Sequence, residues 1–89
     1  MALTDMEARN LKQSAVDALR RGDFASARRQ FEEAAAGGHA DGLVWLGLAA
    51  SCRGLNDKVA MAAATDKVLA VEPKNVRALI MKADLMLEG

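Results

Sequence analysis

Apolar residues recur along this chain at the spacing of helix faces. Residues three or four positions apart share one face of an α-helix, whereas the strict alternation typical of a half-buried strand is sustained nowhere in the sequence. The chain also contains 19 alanines and only nine β-branched residues, a composition that favours helices. The pattern therefore predicts an all-α protein. The positions that carry it in the first half are Leu11, Ala15, Ala18, Leu19, Phe24, Ala27, Phe31, Ala34 and Ala35.

Capping and turn residues divide this helical material into five predicted helices. Thr4 and Glu7 have the spacing of a capping box, so the first helix begins there and runs to about Arg21. Gly22 then supplies a left-handed residue that ends it. The other helices are predicted from the Asp23 cap to Gly37, from about Ala40 to Arg53, from Asn56-Asp57 to Glu72, and from the Asn75 cap to the end of the chain.

The sequence repeats itself after 34 residues. With this shift, Ala15 aligns with Ala49 and Ala83, while Gly22 aligns with Asn56, another residue that tolerates positive φ. Antiparallel helices approach closely only where a small residue lies at the crossing, with a large one beside it. The alanine column therefore predicts helix crossings. The other aligned sets are Leu11, Trp45 and Leu79; Ala18, Cys52 and Met86; and Asp23 with Asp57.

Helix–turn–helix units of this length resemble the tetratricopeptide repeat family, and residues 34–47 also resemble its Sel-type relatives. The matching residues are the Gly22-Asp23-Phe24 turn, Ala27, Phe31 and Ala34-Ala35 in the first unit, and Trp45, Leu48, Ala49, Cys52 and Pro73 in the second. The resemblance implies a right-handed α–α superhelix of antiparallel pairs in one domain, residues 1–89. Its repeats are residues 8–41 and 42–75, followed by a third first helix at 76–89.

The resemblance also implies a non-catalytic scaffold that binds a protein or peptide on a concave face formed by the first helix of each unit. A mostly apolar strip edged by basic residues would suit an amphipathic helix or an extended peptide with a few carboxylates. Ordinary helix surface, with Val16 and Leu46 packed between units, is the alternative. The candidate contacts are Arg9, Lys12, Val16, Leu46, Ala50, Arg53, Arg77, Ile80 and Asp84, with Leu19 and Leu43 beside them.

Some domains of this family bind the acidic C-terminal tail of heat-shock chaperones with two asparagines and three basic residues. Lys12 and Arg77 match two of those basic positions, but Val16 and Ala50 replace both asparagines and Met81 replaces the last basic residue. Most hydrogen bonds to a carboxylate would be lost, so the sequence argues against that mode of binding.

Composition and charge narrow the function classes further. Twelve basic and twelve acidic residues cancel, which argues against nucleic-acid binding, and the uncharged runs are too short to span a membrane. The N-terminus lacks a signal-peptide pattern, so a cytoplasmic location is expected. One cysteine and one histidine predict no zinc site, and no motif indicates a cofactor or catalysis. The alternative function is an N-terminal docking or regulatory segment of a larger bacterial enzyme, such as an oxygenase, hydroxylase or sulfotransferase.

Several conspicuous side chains are expected to be structural. Arg28 and Arg29 should lie on a solvated face near Glu32 and Glu33. Cys52 is expected to be a buried small hydrophobic residue. The methionines Met61, Met81 and Met86 are expected to fill the core.

The last predicted helix is apolar around most of its circumference. A helix that ends a stack normally has a polar outer face, yet this one has large apolar residues on both sides. We therefore expect either that the natural chain continues, with Gly89 in the next turn, or that a second copy covers the face, as a homodimer or by a swapped terminal helix. The apolar positions are Val76, Leu79, Ile80, Met81, Leu85, Met86 and Leu87.

Overall fold

The computed structural model describes residues 3–88, and within them every regular element is an α-helix. The expected all-α class and the expected order of helices are confirmed. Gly89, which the repeat places in a further turn, lies outside the described residues. The helices are α1 (Asp5–Arg20), α2 (Phe24–Ala36), α3 (Gly42–Gly54), α4 (Lys58–Val71) and α5 (Val76–Glu88).

Each helix is preceded by a residue whose polar side chain accepts a hydrogen bond from the backbone N–H three residues later. The predicted capping box is present: Glu7 N donates to Thr4 Oγ1 at 3.1 Å, and Thr4 N donates to Glu7 Oε1 at 3.0 Å. α3 begins at Gly42, later than the expected Ala40, because Asp41 is its cap. The other acceptors are Asp23 (from Ser26 N, 3.3 Å), Asp41 (from Val44 N, 3.0 Å), Asp57 (from Ala60 N, 3.1 Å) and Asn75 (from Ala78 N, 3.0 Å).

The two turns that the repeat aligns have the same backbone conformation. Gly22 has φ +78° and Asn56 has φ +60°, both in the left-handed region. Glycine enters this region without steric cost, and asparagine enters it more readily than most other residues. The prediction that Gly22 ends the first helix in this way is confirmed.

Each helix packs against the next one along the chain, and α1 also contacts α3. Ala15 and Ala49 are fully buried, as expected for residues at helix crossings. Around them, Phe31, Val44 and Val68 are also fully buried and provide most of the core volume. Small side chains in α1 and α3 therefore allow the close approach, and a few large ones fill the space between the helices.

Two phenylalanines of α2 pack onto two glycines of α3. A Cβ added at Gly47 would overlap the Phe31 ring, and one added at Gly54 would overlap the Phe24 ring. The two rings are seven residues apart in α2, and the two glycines are seven residues apart in α3 in the opposite order. This arrangement fixes how the antiparallel helices α2 and α3 are aligned.

The third member of each aligned column is not buried. Ala83 and Leu79 are exposed, and the expectation that Met86 fills the core is wrong, since it is 75% exposed. The physical reason is that α2 covers α1 and α4 covers α3, whereas no described helix follows α5. Met61 and Met81 are buried, as expected. Within residues 3–88, no helix combines the length and apolar character needed to cross a membrane.

Candidate functional site

The helices α1, α3 and α5 meet around an apolar cavity of about 180 Å³. Its walls are mainly aliphatic side chains from α1 and α3, and Arg77 from α5 contributes the positive charge. The buried Phe31 ring and Gly47, described above as a packing pair, are also part of its wall. The lining residues are Val16, Leu19, Phe31, Leu43, Leu46, Gly47, Ala50, Arg77 and Met81.

A second cavity, of about 360 Å³, lies beside the first half of α1. Val16 and Leu43 line both cavities, so the two are neighbours, and together they are here called the groove. Arg9 lines only the larger cavity and Arg77 only the smaller one, so they lie in different parts of the groove. The second cavity is lined by Asp5, Ala8, Arg9, Lys12, Gln13, Val16, His39 and Leu43.

The structure places six of the nine candidate contacts in the groove and three outside it. Ile80 is exposed on α5 and lines neither cavity. Arg53 and Asp84 form an ion pair, with Nη2 to Oδ2 at 3.2 Å, beside a separate cavity of about 190 Å³. The six in the groove are Arg9, Lys12, Val16, Leu46, Ala50 and Arg77.

Lys12 is already engaged with the first turn of α3. Its Nζ lies 2.8 Å from Asp41 Oδ2, and its side chain is only 18% exposed. Partial burial alone would raise the pKa of Asp41, but hydrogen bonds from Lys12 and from Val44 N–H outweigh it, so this pKa is lower than usual. Lys12 therefore holds α1 against the cap of α3, and its charge is largely neutralised before any ligand arrives.

Arg9 and Arg77 are the cations of the groove that remain available. Both are exposed, and neither forms an ion pair with any residue in the described range. Asp5 and His39 also line the cavity of Arg9. His39 is engaged with the backbone, since its Nε2 lies 2.9 Å from the carbonyl oxygen of Leu3.

Arg28 does more than lie on a solvated face beside Glu32. Its Nη1 donates to Asp57 Oδ2 at 3.0 Å, whereas its Nε lies 3.8 Å from Glu32 Oε2. The hydrogen bond from Ala60 N–H and then the one from Arg28 lower the pKa of Asp57. Like Lys12 and Asp41, this pair joins a helix to the cap of the helix two further along. The spacing is 29 residues in both pairs, and this shared spacing is the signal in the sequence that indicates them.

A separate apolar cavity of about 170 Å³ lies between α2, α3 and α4. Trp45 and Cys52 contribute to its wall, and Lys67 Nζ lies 5.2 Å from the centre of the indole ring. Cys52 is buried, as expected, and burial raises the pKa of its thiol despite the nearby Arg28. A thiol in this environment is a packing residue, because nucleophilic attack requires the thiolate.

No three His, Cys, Asp or Glu side chains in residues 3–88 are grouped so that they could hold a metal ion. Comparisons with family models, curated proteins and solved structures find no match for this chain. The groove is therefore the feature of the described residues that indicates a function.

Proposed function

We propose that the chain is a non-catalytic, tetratricopeptide-like interaction module that binds an acidic peptide segment in the groove. The observation that carries this proposal is a groove that is apolar beside Arg77 and largely polar beside Arg9, with both arginines exposed and neither in an ion pair within residues 3–88. Apolar walls provide binding energy for aliphatic side chains, and the arginines select for carboxylates.

Two repeated features, together with the helices that surround the groove, support the tetratricopeptide-like architecture. The turns at Gly22 and Asn56, 34 residues apart, share left-handed backbone. Ala15 and Ala49, separated by the same interval, are both fully buried. In the family that the sequence resembles, the first helix of each unit lines the ligand face, and α1, α3 and α5 are the helices that surround the groove.

The order of side chains across the groove indicates the spacing of the ligand's carboxylates. Arg9, Leu43 and Arg77 occupy equivalent repeat positions, and Leu43 lines the cavities of both arginines. α1 contacts α3 directly, and if successive first helices lie about 10 Å apart, as packed helices do, we expect the two arginines to be separated by roughly 20 Å. An extended chain rises about 3.3 Å per residue, so this distance corresponds to about six residues. The ligand should therefore carry two acidic residues about six positions apart, with an apolar residue between them.

A synthetic peptide tests this ligand chemistry directly. The probe is a fluorescein-labelled peptide with Glu at positions 1 and 7 and Leu at position 4, and fluorescence anisotropy measures binding. We expect saturable binding that weakens with salt, because the end contacts are ionic. Replacing either glutamate by lysine should weaken binding about tenfold, the effect of losing about 1.4 kcal/mol.

Matched arginine variants locate the binding site on the protein. Arg9→Glu and Arg77→Glu should each weaken binding about tenfold or more, while Arg29→Glu serves as the control, since Arg29 is exposed on α2 and lies outside the groove. Circular dichroism should show the same helix content for all three variants. Equal binding by Arg29→Glu and the two groove variants would contradict the proposal, as would a probe affinity that does not depend on its glutamates.

A further inference from the structure

Helix α5 has two apolar faces, and only one of them packs against the rest of the molecule. Ala78 and Met81 are buried against the rest of the molecule. At 100° per residue, the opposite face is centred on Ala83, and the large apolar residues on it lie within about 60° of that centre. This surface, here called the outward face, consists of Val76 (66% exposed), Leu79 (46%), Ile80 (53%), Ala83, Met86 (75%) and Leu87 (86%).

The repeat shows what kind of surface the outward face is. Ala15 in α1 and Ala49 in α3 are the equivalents of Ala83, and both are completely buried. Their faces are covered by the neighbouring helices α2 and α4 respectively. The exposed alanine of α5 therefore occupies the repeat position of two alanines at helix crossings, with Leu79 one turn before it where the other helices have Leu11 and Trp45. The outward face has the composition to receive one more helix.

The pattern around Ala83 is self-complementary. The residues three and four positions before it are Ile80 and Leu79, and those three and four positions after it are Met86 and Leu87. A two-fold axis through an antiparallel crossing at Ala83 therefore sets Leu79 beside the partner's Met86 and Ile80 beside the partner's Leu87. A symmetric contact of this kind requires one patch that matches itself, and this patch does.

The charges beside the outward face do not oppose such a contact. Lys82 and Asp84 flank it, and each already has a partner within the chain. Lys82 Nζ lies 3.5 Å from Asp66, and Asp84 lies 3.2 Å from Arg53. Association through Ala83 therefore leaves both flanking charges paired at the rim.

We propose that a second copy of this chain docks on the outward face, with the two α5 helices crossing at Ala83. A helix of 13 residues is about 20 Å long, so the interface is at the small end of the range for specific contacts. We expect a dissociation constant in the micromolar range, with monomers in dilute solution and dimers in concentrated solution.

A cysteine at the crossing provides the first test. In an Ala83→Cys variant the two new thiols meet at the two-fold axis, so mild oxidation at high protein concentration should produce a disulfide-linked dimer. Ala25→Cys, at an exposed alanine of α2, is the control for random collision. The native Cys52 is buried and present in both variants. We expect cross-linking at position 83 at least ten times faster than at position 25, and equal rates would overturn the proposal.

Sedimentation equilibrium provides the second test, on the unmodified chain. The average mass should rise from monomer towards dimer between about 5 and 500 μM, and Met86→Glu should weaken association at least tenfold. Val59→Glu, at an apolar residue of α4 that is 84% exposed, should not change it. A monomer throughout the range would show that a second copy does not dock on the outward face, and a dimer insensitive to Met86→Glu would show that a different surface pairs. Either result overturns the proposal.

The two proposals can fail separately. Peptide binding depends on Arg9 and Arg77 in the groove, whereas dimerisation depends on Ala83 and Met86 on the outward face. Met86→Glu should therefore leave binding of the glutamate probe unchanged, and Arg77→Glu should leave the dimer unchanged.

Discussion

Gly47 is the residue whose absent side chain matters most to the packing of α2 on α3. Phe31 is fully buried and its ring occupies the space where a Cβ would project. Glycine in a helix interior is unfavourable by about 1 kcal/mol relative to alanine. Its presence in α3 therefore indicates that the close approach of the ring outweighs the weaker helix propensity.

A glycine-to-alanine substitution separates these two effects. Gly47→Ala gains helix propensity but forces the Phe31 ring to move within a filled core, where overpacking typically costs about 1–3 kcal/mol. We expect a net loss of about 1–2 kcal/mol in the free energy of unfolding, measured by urea denaturation. Gly54→Ala is the matched control. It meets Phe24, which is only half-buried and can shift, so its loss should be smaller. Equal stability of Gly47→Ala and the parent would contradict this account.

Helical spacing identifies Phe31 as an apolar position of α2 but does not reveal its pairing with Gly47. Phe31 is fully buried in the structure. The requirement for glycine at 47 arises from the facing helix, so no feature of the local sequence reveals it. Relations of this kind depend on how two helices are aligned, and helical periodicity does not specify that alignment.

At the scale of helices, the aligned alanines allow one substitution to be compared at a buried copy and at an exposed copy of the same repeat position. Ala49→Leu inserts a large side chain at a crossing, so we expect a loss of about 1–3 kcal/mol in the free energy of unfolding. Ala83→Leu makes the same chemical change at the equivalent exposed position and should alter stability by less than about 0.5 kcal/mol. Chemical denaturation in dilute solution, where the chain is expected to be monomeric, measures both. Similar losses for the two variants would mean that α5 is covered in the monomer as α3 is.

The helix boundaries were largely predictable because their causes are local. Thr4, Asp23 and Asn75 cap helices through side-chain geometry that acts within three residues, and Gly22 ends one through its own backbone freedom. Met86 was misassigned because its burial depends on a neighbouring helix and not on its own helix. The sequence identified α5 as apolar on both sides but did not determine which side faces the core.

At the scale of the whole molecule, paired charges connect helices that are not adjacent in sequence. Lys12 joins α1 to the cap of α3, and Arg28 joins α2 to the cap of α4. Lys12 is one of the candidate contacts named from the sequence, and it lines the groove. Its partner could not be predicted, because Asp41 approaches only once α1 and α3 pack together. Within residues 3–88, Arg9 and Arg77 are the cations of the groove that form no ion pair, although Asp5 also lines the cavity of Arg9.

Asp41 and Asp57 cap helices and also form ion pairs, so we expect the molecule to lose stability in acid. The pKa values of Asp41 and Asp57 are lowered in the folded chain, so their contribution is complete above the ordinary aspartate value of about 3.9. It is lost as the pH falls through the lowered pKa values, because the folded state must then take up protons it holds less tightly than the unfolded chain. We therefore expect the urea midpoint to fall steadily between about pH 4 and pH 2.5.

The substitution Asp57→Asn separates the contribution of the ion pair to stability from that of the helix cap. Asparagine still accepts a hydrogen bond at a helix start but forms no ion pair with Arg28. The variant should be less stable than the parent at pH 7 and should approach it at pH 2.5, so that its urea midpoint depends less on pH. Asp66→Asn, which removes an exposed carboxylate in the middle of α4, is the control. An unchanged pH dependence for Asp57→Asn would contradict the role assigned to this pair.

Because Cys52 is buried, the rate at which its thiol reacts can measure local opening of the structure. Cys52 is only 2% exposed in the wall of its cavity, so a water-soluble alkylating reagent reaches its sulfur mainly when α3 and its neighbours separate, and the raised pKa of the thiol slows the reaction further at neutral pH. The modification rate of the native chain therefore reports how often the middle of the molecule opens, without any introduced label.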